Sequence, residues 1–99
     1  VYTSGQIPLD AKTGAIVGSS ITDQAHQVLK NLSAVLREAG SGMDKVVKTT
    51  CFLADMQDFA PFNEVYAQYF TGKPARSCVA VRTLPKNVLV EVECVAVVE

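Results

Sequence analysis

The sequence predicts an α+β domain in which two helices pack on one face of a β-sheet. Two stretches carry apolar residues at helical spacing, and four others are rich in β-branched or alternating apolar residues. They follow one another in the order strand, helix, strand, helix, strand, strand, which is typical of helices segregated to one side of a sheet. The chain has 99 residues, and we assign residues 1–99 to one domain.

The composition limits the possible partners. The chain is 48% hydrophobic with a mean hydropathy of +0.20, a surplus that predicts an oligomer interface. No uncharged apolar run approaches the roughly 20 residues of a membrane span. The net charge is −1 with lysines and arginines scattered singly, which disfavours nucleic acid as a partner. The single histidine, His26, and the lack of a CxxC pair disfavour a metal site, so we expect no cofactor.

The first predicted strand covers residues 1–7 and is interrupted by Gly5. That glycine is either a β-bulge or a place where a ligand approaches the backbone closely, and the sequence leaves both open. Residues 10–14 form a turn, and residues 15–17 are a further candidate strand. Because the chain begins without methionine inside a predicted strand, we expect that an N-terminal segment is missing from it.

The first helix is predicted over residues 22–39, with Ser20 or Thr22 as its cap and Gly40 ending it. His26 lies off the apolar stripe, so we interpret it as a solvated side chain with no catalytic role.

A strand over residues 46–53 and a second helix follow. We expect Val47 and Cys51 on the same face of this strand, with Cys51 as a small core residue. Asp55 or Asp58 caps the helix, whose aromatic stripe is interpreted as core. Beside the stripe lies Asn63, which by itself looks structural. The stripe consists of Phe59, Phe62, Val65, Tyr66, Tyr69 and Phe70.

The last two strands, residues 74–81 and 88–97, are joined by a turn at residues 84–87. Alternation puts Arg76 and Cys78 on one face of the first of them and Val79 on the other. We expect the helices to cover Val79, Val81 and the small apolar row from Val88 to Val98. The opposite face would then carry Arg76, Cys78 and Glu91, the makings of a small-anion site, and would be covered by another subunit through Leu89, Val95 and Val97.

Three cysteines, all in predicted strands, indicate a reducing compartment without disulfides. Cys78 is predicted to be the most reactive thiol, because Arg76 on the same face favours the thiolate. Spacing alone does not choose between Glu91 and Glu93 as the functional carboxylate, and either could form an ion pair that is the sole role of Arg76.

These segments together resemble the reactive intermediate deaminases, the RidA or YjgF-like family, also called liver perchloric-acid-soluble proteins. The resemblance runs end to end. Its segments are TSGQIP at 3–8, VVKTT at 46–50, NEVY at 63–66, PARSC at 74–78, LPK at 84–86 and VEVE at 90–93.

The resemblance implies a chorismate-mutase-like, two-layer α+β fold with a mostly antiparallel sheet, forming a homotrimer with ligand clefts between subunits. It also implies hydrolysis of 2-imino or 2-enamino acids, such as 2-iminobutanoate and 2-iminopropanoate, to 2-keto acids and ammonium, in the cytoplasm or the mitochondrial matrix. The N-terminal strand and the cleft-facing tyrosine of the family are not in this sequence.

Carried over by position, Arg76 would clamp the substrate carboxylate and Glu91 would activate water. Gly5 would offer its backbone, while Cys78 and Asn63 would line the cleft. The expected chemistry needs no metal or organic cofactor, because one carboxylate can shuttle the proton that imine hydrolysis moves.

Three alternatives remain beside the deaminase. The same cleft could bind small 2-keto or amino acids without turning them over. Nucleic-acid cleavage is a second alternative, which the scattered charge disfavours. A third is a holdase that uses exposed apolar or thiol surface.

Overall fold

The computed structural model describes residues 1–98. Two α-helices and three strands form its regular elements, and short 3₁₀ turns precede β1, α2 and β3. The elements in chain order are α1 (Ile21–Glu38), β1 (Val46–Leu53), α2 (Phe59–Tyr69), β2 (Ala75–Ala80) and β3 (Val90–Ala96). No helix within residues 1–98 is both long and apolar enough to cross a membrane.

The three strands form one mixed sheet in the order β2-β1-β3. β1 pairs with β2 in parallel and with β3 antiparallel, so the expectation of a mostly antiparallel sheet was wrong for the β1–β2 pair. The physical reason is α2, which carries the chain back across the sheet between β1 and β2 as parallel neighbours require. β2 and β3, which the sequence joins by a turn, lie on opposite sides of β1.

Residues 1–7 run antiparallel beside β3 through two isolated bridges, Tyr2 with Val95 and Gln6 with Val92. Between the two bridges the segment advances four residues, from Tyr2 to Gln6, while β3 spans three, from Val92 to Val95. The segment therefore carries one extra residue around Gly5. The interpretation of Gly5 as a bulge is therefore confirmed. A further bridge joins Leu9 to Ile16, where the sequence placed its additional candidate strand.

The helix boundaries follow the predicted caps. Ser20 Oγ accepts a hydrogen bond from Asp23 N at 3.1 Å, and the chain leaves α1 through Gly40 with φ of +83°. Asp55 Oδ1 accepts from Gln57 N at 2.9 Å and begins a 3₁₀ turn that leads into α2. The predicted core stripe of α2 is confirmed for its buried members Phe62, Val65 and Phe70.

The core lies between the helices and one face of the sheet. Thr49, Cys51 and Leu53 of β1 point into it, together with Val90, Val92, Cys94 and Ala96 of β3. The pairing of β1 with β3 shifts between Val46 and Lys48, so Val46 is buried and Val47 is 50% exposed. The predicted inward position of Val47 was wrong for this reason. No helix within residues 1–98 covers the other face of the sheet, which we call the open face.

The faces of β2 are the reverse of those predicted. Its parallel register sets Arg76 beside Thr49 and Cys78 beside Cys51, both of which face the helices. Side chains of neighbouring paired residues share a face, so Arg76 and Cys78 lie on the helix side. Val79 is 47% exposed on the open face.

Two further expectations about β3 need correction. Val98 lies beyond the last residue of the strand and is 48% exposed, so it does not continue the buried row. Leu89 precedes the strand and packs against the core on the helix side, away from the open face.

Gln24 is a buried amide that joins α1 to the entrance of β3. Its Oε1 accepts from Leu89 N at 2.8 Å, and its Nε2 donates to Gly18 O at 3.1 Å. We expect Gln24→Met to lower the free energy of unfolding by about 1–3 kcal/mol, because a buried N–H loses its partner. Denaturation by urea at fixed protein concentration measures this.

Gln68→Met on the exposed side of α2 is the matched control. It should change the free energy of unfolding by no more than about 0.5 kcal/mol. Equal effects of the two substitutions would show that the Gln24 bridge does not contribute.

Candidate functional site

Arg76 is held at the edge of the sheet by α2. Its Nη1 donates to Asn63 Oδ1 at 2.6 Å. Its Cζ lies 4.7 Å from the centroid of the Tyr66 ring and 5.3 Å from that of Phe59. These contacts are of the cation–π kind and fix a half-buried guanidinium that has five N–H donors.

The residues that hold Arg76 are spaced at helical intervals. Phe59, Asn63 and Tyr66 stand at positions i, i+4 and i+7 of α2, so they share one side of the helix. We interpreted the two aromatic residues as core and Asn63, taken alone, as structural. This spacing is visible in the sequence, but the sequence analysis placed Arg76, which these three residues contact, on the wrong face of the sheet.

A groove of about 500 Å³ opens beside the guanidinium. Its size suits a small organic anion, and its walls combine aromatic rings with the Arg76 and Asn63 head groups. The groove is lined by Asn63, Tyr66, Ala67, Phe70, Thr71, Lys73, Pro74 and Arg76.

Glu91 lies over Gly5 on the other side of the molecule. A Cβ atom built at Gly5 would stand 2.8 Å from Glu91 Cδ and closer still to its Oε2. Within the chain, the group that lies closest to this face of Gly5 is the Glu91 side chain, and the approach of a ligand to the Gly5 backbone stays a prediction. The half-buried Glu91 is paired with Phe52 on the open face.

The structure thus places the candidate residues in two groups within one chain. Arg76, Asn63 and Cys78 are on the helix side at β2, whereas Gly5 and Glu91 are on the open face beyond β1. Glu93 pairs with Thr50, which also places it on the open face. The alternative that Arg76 only balances Glu91 or Glu93 of its own chain is therefore wrong.

A second cavity, of about 420 Å³, lies between residues 5–14 and α1. Gly5 is part of its wall, but its carboxylate, Asp10, is engaged by the backbone N–H groups of Lys12 and Thr13. Those hydrogen bonds lower the pKa of Asp10. Among the described residues, those that line this cavity are mostly apolar and include no lysine or arginine.

Burial determines the direction in which the pKa of each cysteine thiol shifts. Cys51 and Cys94 are buried, and Cys78 is half-buried. Burial raises the pKa of all three, that of Cys51 to about 12. Burial raises the pKa of Cys78 by more than the charge of Arg76 lowers it. The prediction that Arg76 makes Cys78 a favoured thiolate was therefore wrong.

His26 connects the two helices. Its Nδ1 shares a hydrogen bond of 2.9 Å with Tyr69 Oη, and the ring is half-buried. The interpretation of His26 as a solvated side chain was therefore wrong, and its partner comes from α2 rather than from its own helix.

The fold and this site define a two-layer α+β protein with an open groove beside a guanidinium at the sheet edge. Comparison with known proteins then gives the family. Residues 1–98 match the model of the Ribonuc_L-PSP family, described as Endoribonuclease L-PSP. The chain belongs to this family, whose members are also called YjgF, RutC or RidA proteins, and the resemblance noted in the sequence is confirmed.

Similar proteins carry diverse names. The chain is 54% identical to the putative regulator AldR of Lactococcus lactis, over 100% of this chain and 79% of that protein. A putative endoribonuclease L-PSP from Entamoeba histolytica is 59% identical with a TM-score of 0.94, over 98% of this chain and 78% of that one. E. coli TdcF with bound serine is 43% identical with a TM-score of 0.92, over 99% of this chain and 80% of that one.

Gly5→Ala tests the contact with Glu91. We expect the added methyl group to displace the Glu91 carboxylate, because the displaced atoms are the far end of a flexible side chain. The carboxyl carbon resonance of Glu91 should shift in NMR spectra. Gly72→Ala is the control, since a Cβ at Gly72 meets nothing within 4 Å. An unmoved Glu91 resonance in Gly5→Ala would contradict the arrangement.

Thiol labelling tests the effect of burial. At about pH 8, iodoacetamide should modify Cys78 first, because Cys51 and Cys94 are buried and the pKa of Cys51 is near 12. Since burial raises the pKa of Cys78, its rate should fall below that of an unfolded cysteine peptide and increase as the pH rises. Peptide mass spectrometry identifies the site. Faster labelling than the peptide would mean that Arg76 prevails over burial.

Proposed function

We propose that this protein is a hydrolytic deaminase that converts 2-imino or 2-enamino acids into 2-keto acids and ammonium. The observation that carries the proposal is the guanidinium of Arg76, held by Asn63 and two aromatic rings at the wall of an open groove. Membership of the L-PSP, RutC and Rid group is consistent with a deaminase or small-molecule binding role.

Arg76 binds the substrate carboxylate in this proposal. Asn63 engages Nη1, which leaves the other N–H groups of the fork for the two carboxylate oxygens. The guanidinium keeps its charge when half-buried, and its planar fork matches a carboxylate at two points, which a lysine cannot do.

Glu91 serves as the acid–base group. It takes a proton from the water that attacks the iminium carbon and returns it to the nitrogen of the carbinolamine. The C–N bond then breaks while Glu91 takes the proton of the carbinolamine hydroxyl, so the carbonyl forms and ammonia leaves. Ammonia takes up that proton as ammonium, and atoms and charges balance. Such acid–base assistance contributes about 10²–10⁴-fold to rates. Gly5 leaves the space in which the Glu91 carboxylate lies.

A second subunit completes the site. Because Arg76 and Glu91 lie on opposite faces of the sheet in one chain, a substrate that contacts both needs Arg76 from one subunit and Glu91 from the next. The open face supports such an assembly, since Val79 is 47% exposed there. We propose a homotrimer whose clefts lie between subunits.

The second candidate is a binding module without turnover. E. coli TdcF with bound serine is a relative seen with an amino acid, and AldR is named a putative regulator. Under this function Arg76 would still bind a carboxylate. Binding of 2-oxobutanoate without any acceleration of imine decay would favour it.

A coupled dehydratase assay tests the deaminase. Threonine dehydratase supplies the iminobutanoate, and semicarbazide competes for it as it decays. Added protein should reduce semicarbazone formation. Arg76→Lys should fold normally yet weaken 2-oxobutanoate binding by about tenfold or more, as loss of a charge-assisted two-point contact does. Glu91→Gln should bind normally and lose turnover. Binding by Arg76→Lys equal to that of the wild type would remove Arg76 from the site.

Mixing two inactive variants tests the shared site. Arg76→Met and Glu91→Gln chains, unfolded together and reassembled at equal ratio, should regain about one quarter of wild-type activity, because random assembly pairs an intact Arg76 with an intact Glu91 in that share of clefts. Each variant reassembled alone is the control. Recovery of no activity from a mixture that sedimentation shows to be trimeric would contradict a cleft built by two subunits.

A further inference from the structure

Tyr66 connects Arg76 to the buried centre of the sheet. The Tyr66 ring centroid lies 4.7 Å from Arg76 Cζ, and the Tyr66 hydroxyl shares a hydrogen bond of 2.8 Å with Thr49 Oγ1. Thr49 is 0% exposed and belongs to β1, the central strand. A continuous chain of contacts therefore runs from the core of the molecule to the guanidinium.

The hydroxyl pair is not what packing alone would select. Tyr66 also contacts Phe62 and Phe70, with ring centroids 5.8 and 4.5 Å away, and a phenylalanine would make the same ring contacts. Valine would suit the fully buried position of Thr49. Burying a hydroxyl is unfavourable unless it finds a partner, and here the hydroxyls of Tyr66 and Thr49 are partners of each other.

Asn63 alone does not fix the plane of the guanidinium. One hydrogen bond to Nη1 leaves rotation about that contact free, whereas two-point recognition of a carboxylate needs the plane held within about 10–20°. The Tyr66 ring, whose centroid lies 4.7 Å from Arg76 Cζ, restricts that rotation through its contact with the group. The bond to Thr49 in turn fixes the position of the ring.

We propose that Tyr66 is a positioning residue, which, anchored on Thr49, orients the Arg76 guanidinium for a substrate carboxylate. This inference rests on the proposed function, in which Arg76 binds that carboxylate. Tyr66 acts through Arg76 and does not itself react. Burial raises the pKa of Tyr66, so the ring remains a neutral phenol at neutral pH.

A double-mutant cycle measures whether Tyr66 acts through Arg76. Tyr66→Leu should weaken binding of 2-oxobutanoate by about tenfold in calorimetry, the size of a desolvated cation–π contact. In an Arg76→Met background the same change should have almost no further effect. KM should rise more than kcat falls. Tyr69→Leu, on the same helix but in contact with His26, should bind within about twofold of wild type.

The hydroxyl pair is tested by removing both hydroxyls together, which leaves only the weak thiol donor of Cys51 without its acceptor. Thr49→Val combined with Tyr66→Phe removes both hydroxyls and should fold normally, since deleting both partners of a hydrogen bond is nearly neutral. The ring remains, so binding should weaken by only about threefold. NMR of the Arg76 side chain should show slow rotation about Nε–Cζ in the wild type and faster rotation in this variant. If Tyr66→Leu does not fold, this double variant still tests the positioning role of Tyr66.

The outcomes separate this inference from the function on which it rests. If Arg76→Met binds 2-oxobutanoate like the wild type, the proposed function fails. If Arg76→Met binds poorly while Tyr66→Leu binds normally, only the positioning role fails. An equal loss from Tyr66→Leu with and without Arg76 would show a purely structural residue and would also overturn the inference.

Discussion

The register of the two outer strands against β1 determines which of their side chains face the helices and which lie on the open face. β1 contributes Thr49, Cys51 and Leu53 to the core, and each neighbouring strand takes its faces from those residues. A slip of one residue in β2 would turn Arg76 to the open face, away from Asn63, and expose Cys78. A slip in β3 would bury Glu91 under the helices. Both candidate groups thus depend on backbone pairing more than on contacts between side chains.

The helices cover one face of the sheet, so the Arg76 guanidinium and the Glu91 carboxylate lie in different surroundings. On the covered side a cation is stabilised by aromatic rings and an amide, which tolerate partial burial. On the open side the half-buried Glu91 carboxylate lies over Gly5. Keeping the two charges apart within one chain prevents an internal ion pair from occupying the guanidinium, so its donors stay available for an external anion.

Local features of the fold were predictable from the sequence, whereas the placement of the strands was not. The limits of β1 and the cap of α1 at Ser20 agree with prediction, because hydrophobic periodicity and capping are local signals. The faces of β2 were predicted in reverse, since Val79 looks more like core than Arg76 does. Only the parallel register against Thr49 and Cys51 reveals otherwise, and that pairing joins residues far apart in sequence. The same non-local information was needed for His26, whose partner Tyr69 is 43 residues away.

The pairing of residues 1–7 with β3 joins distant parts of the chain. The hydrogen bond from Cys94 N to Thr3 Oγ1 spans 91 residues, whereas Arg76 and Asn63 are only 13 apart. Contacts of long separation incur a greater loop-closure entropy and tend to form late. During folding the guanidinium can therefore settle against α2 early, while Glu91 meets Gly5 only once the last strand is in place. A growing polypeptide would carry the Arg76 cluster for some time before the segment with Glu91 has been made.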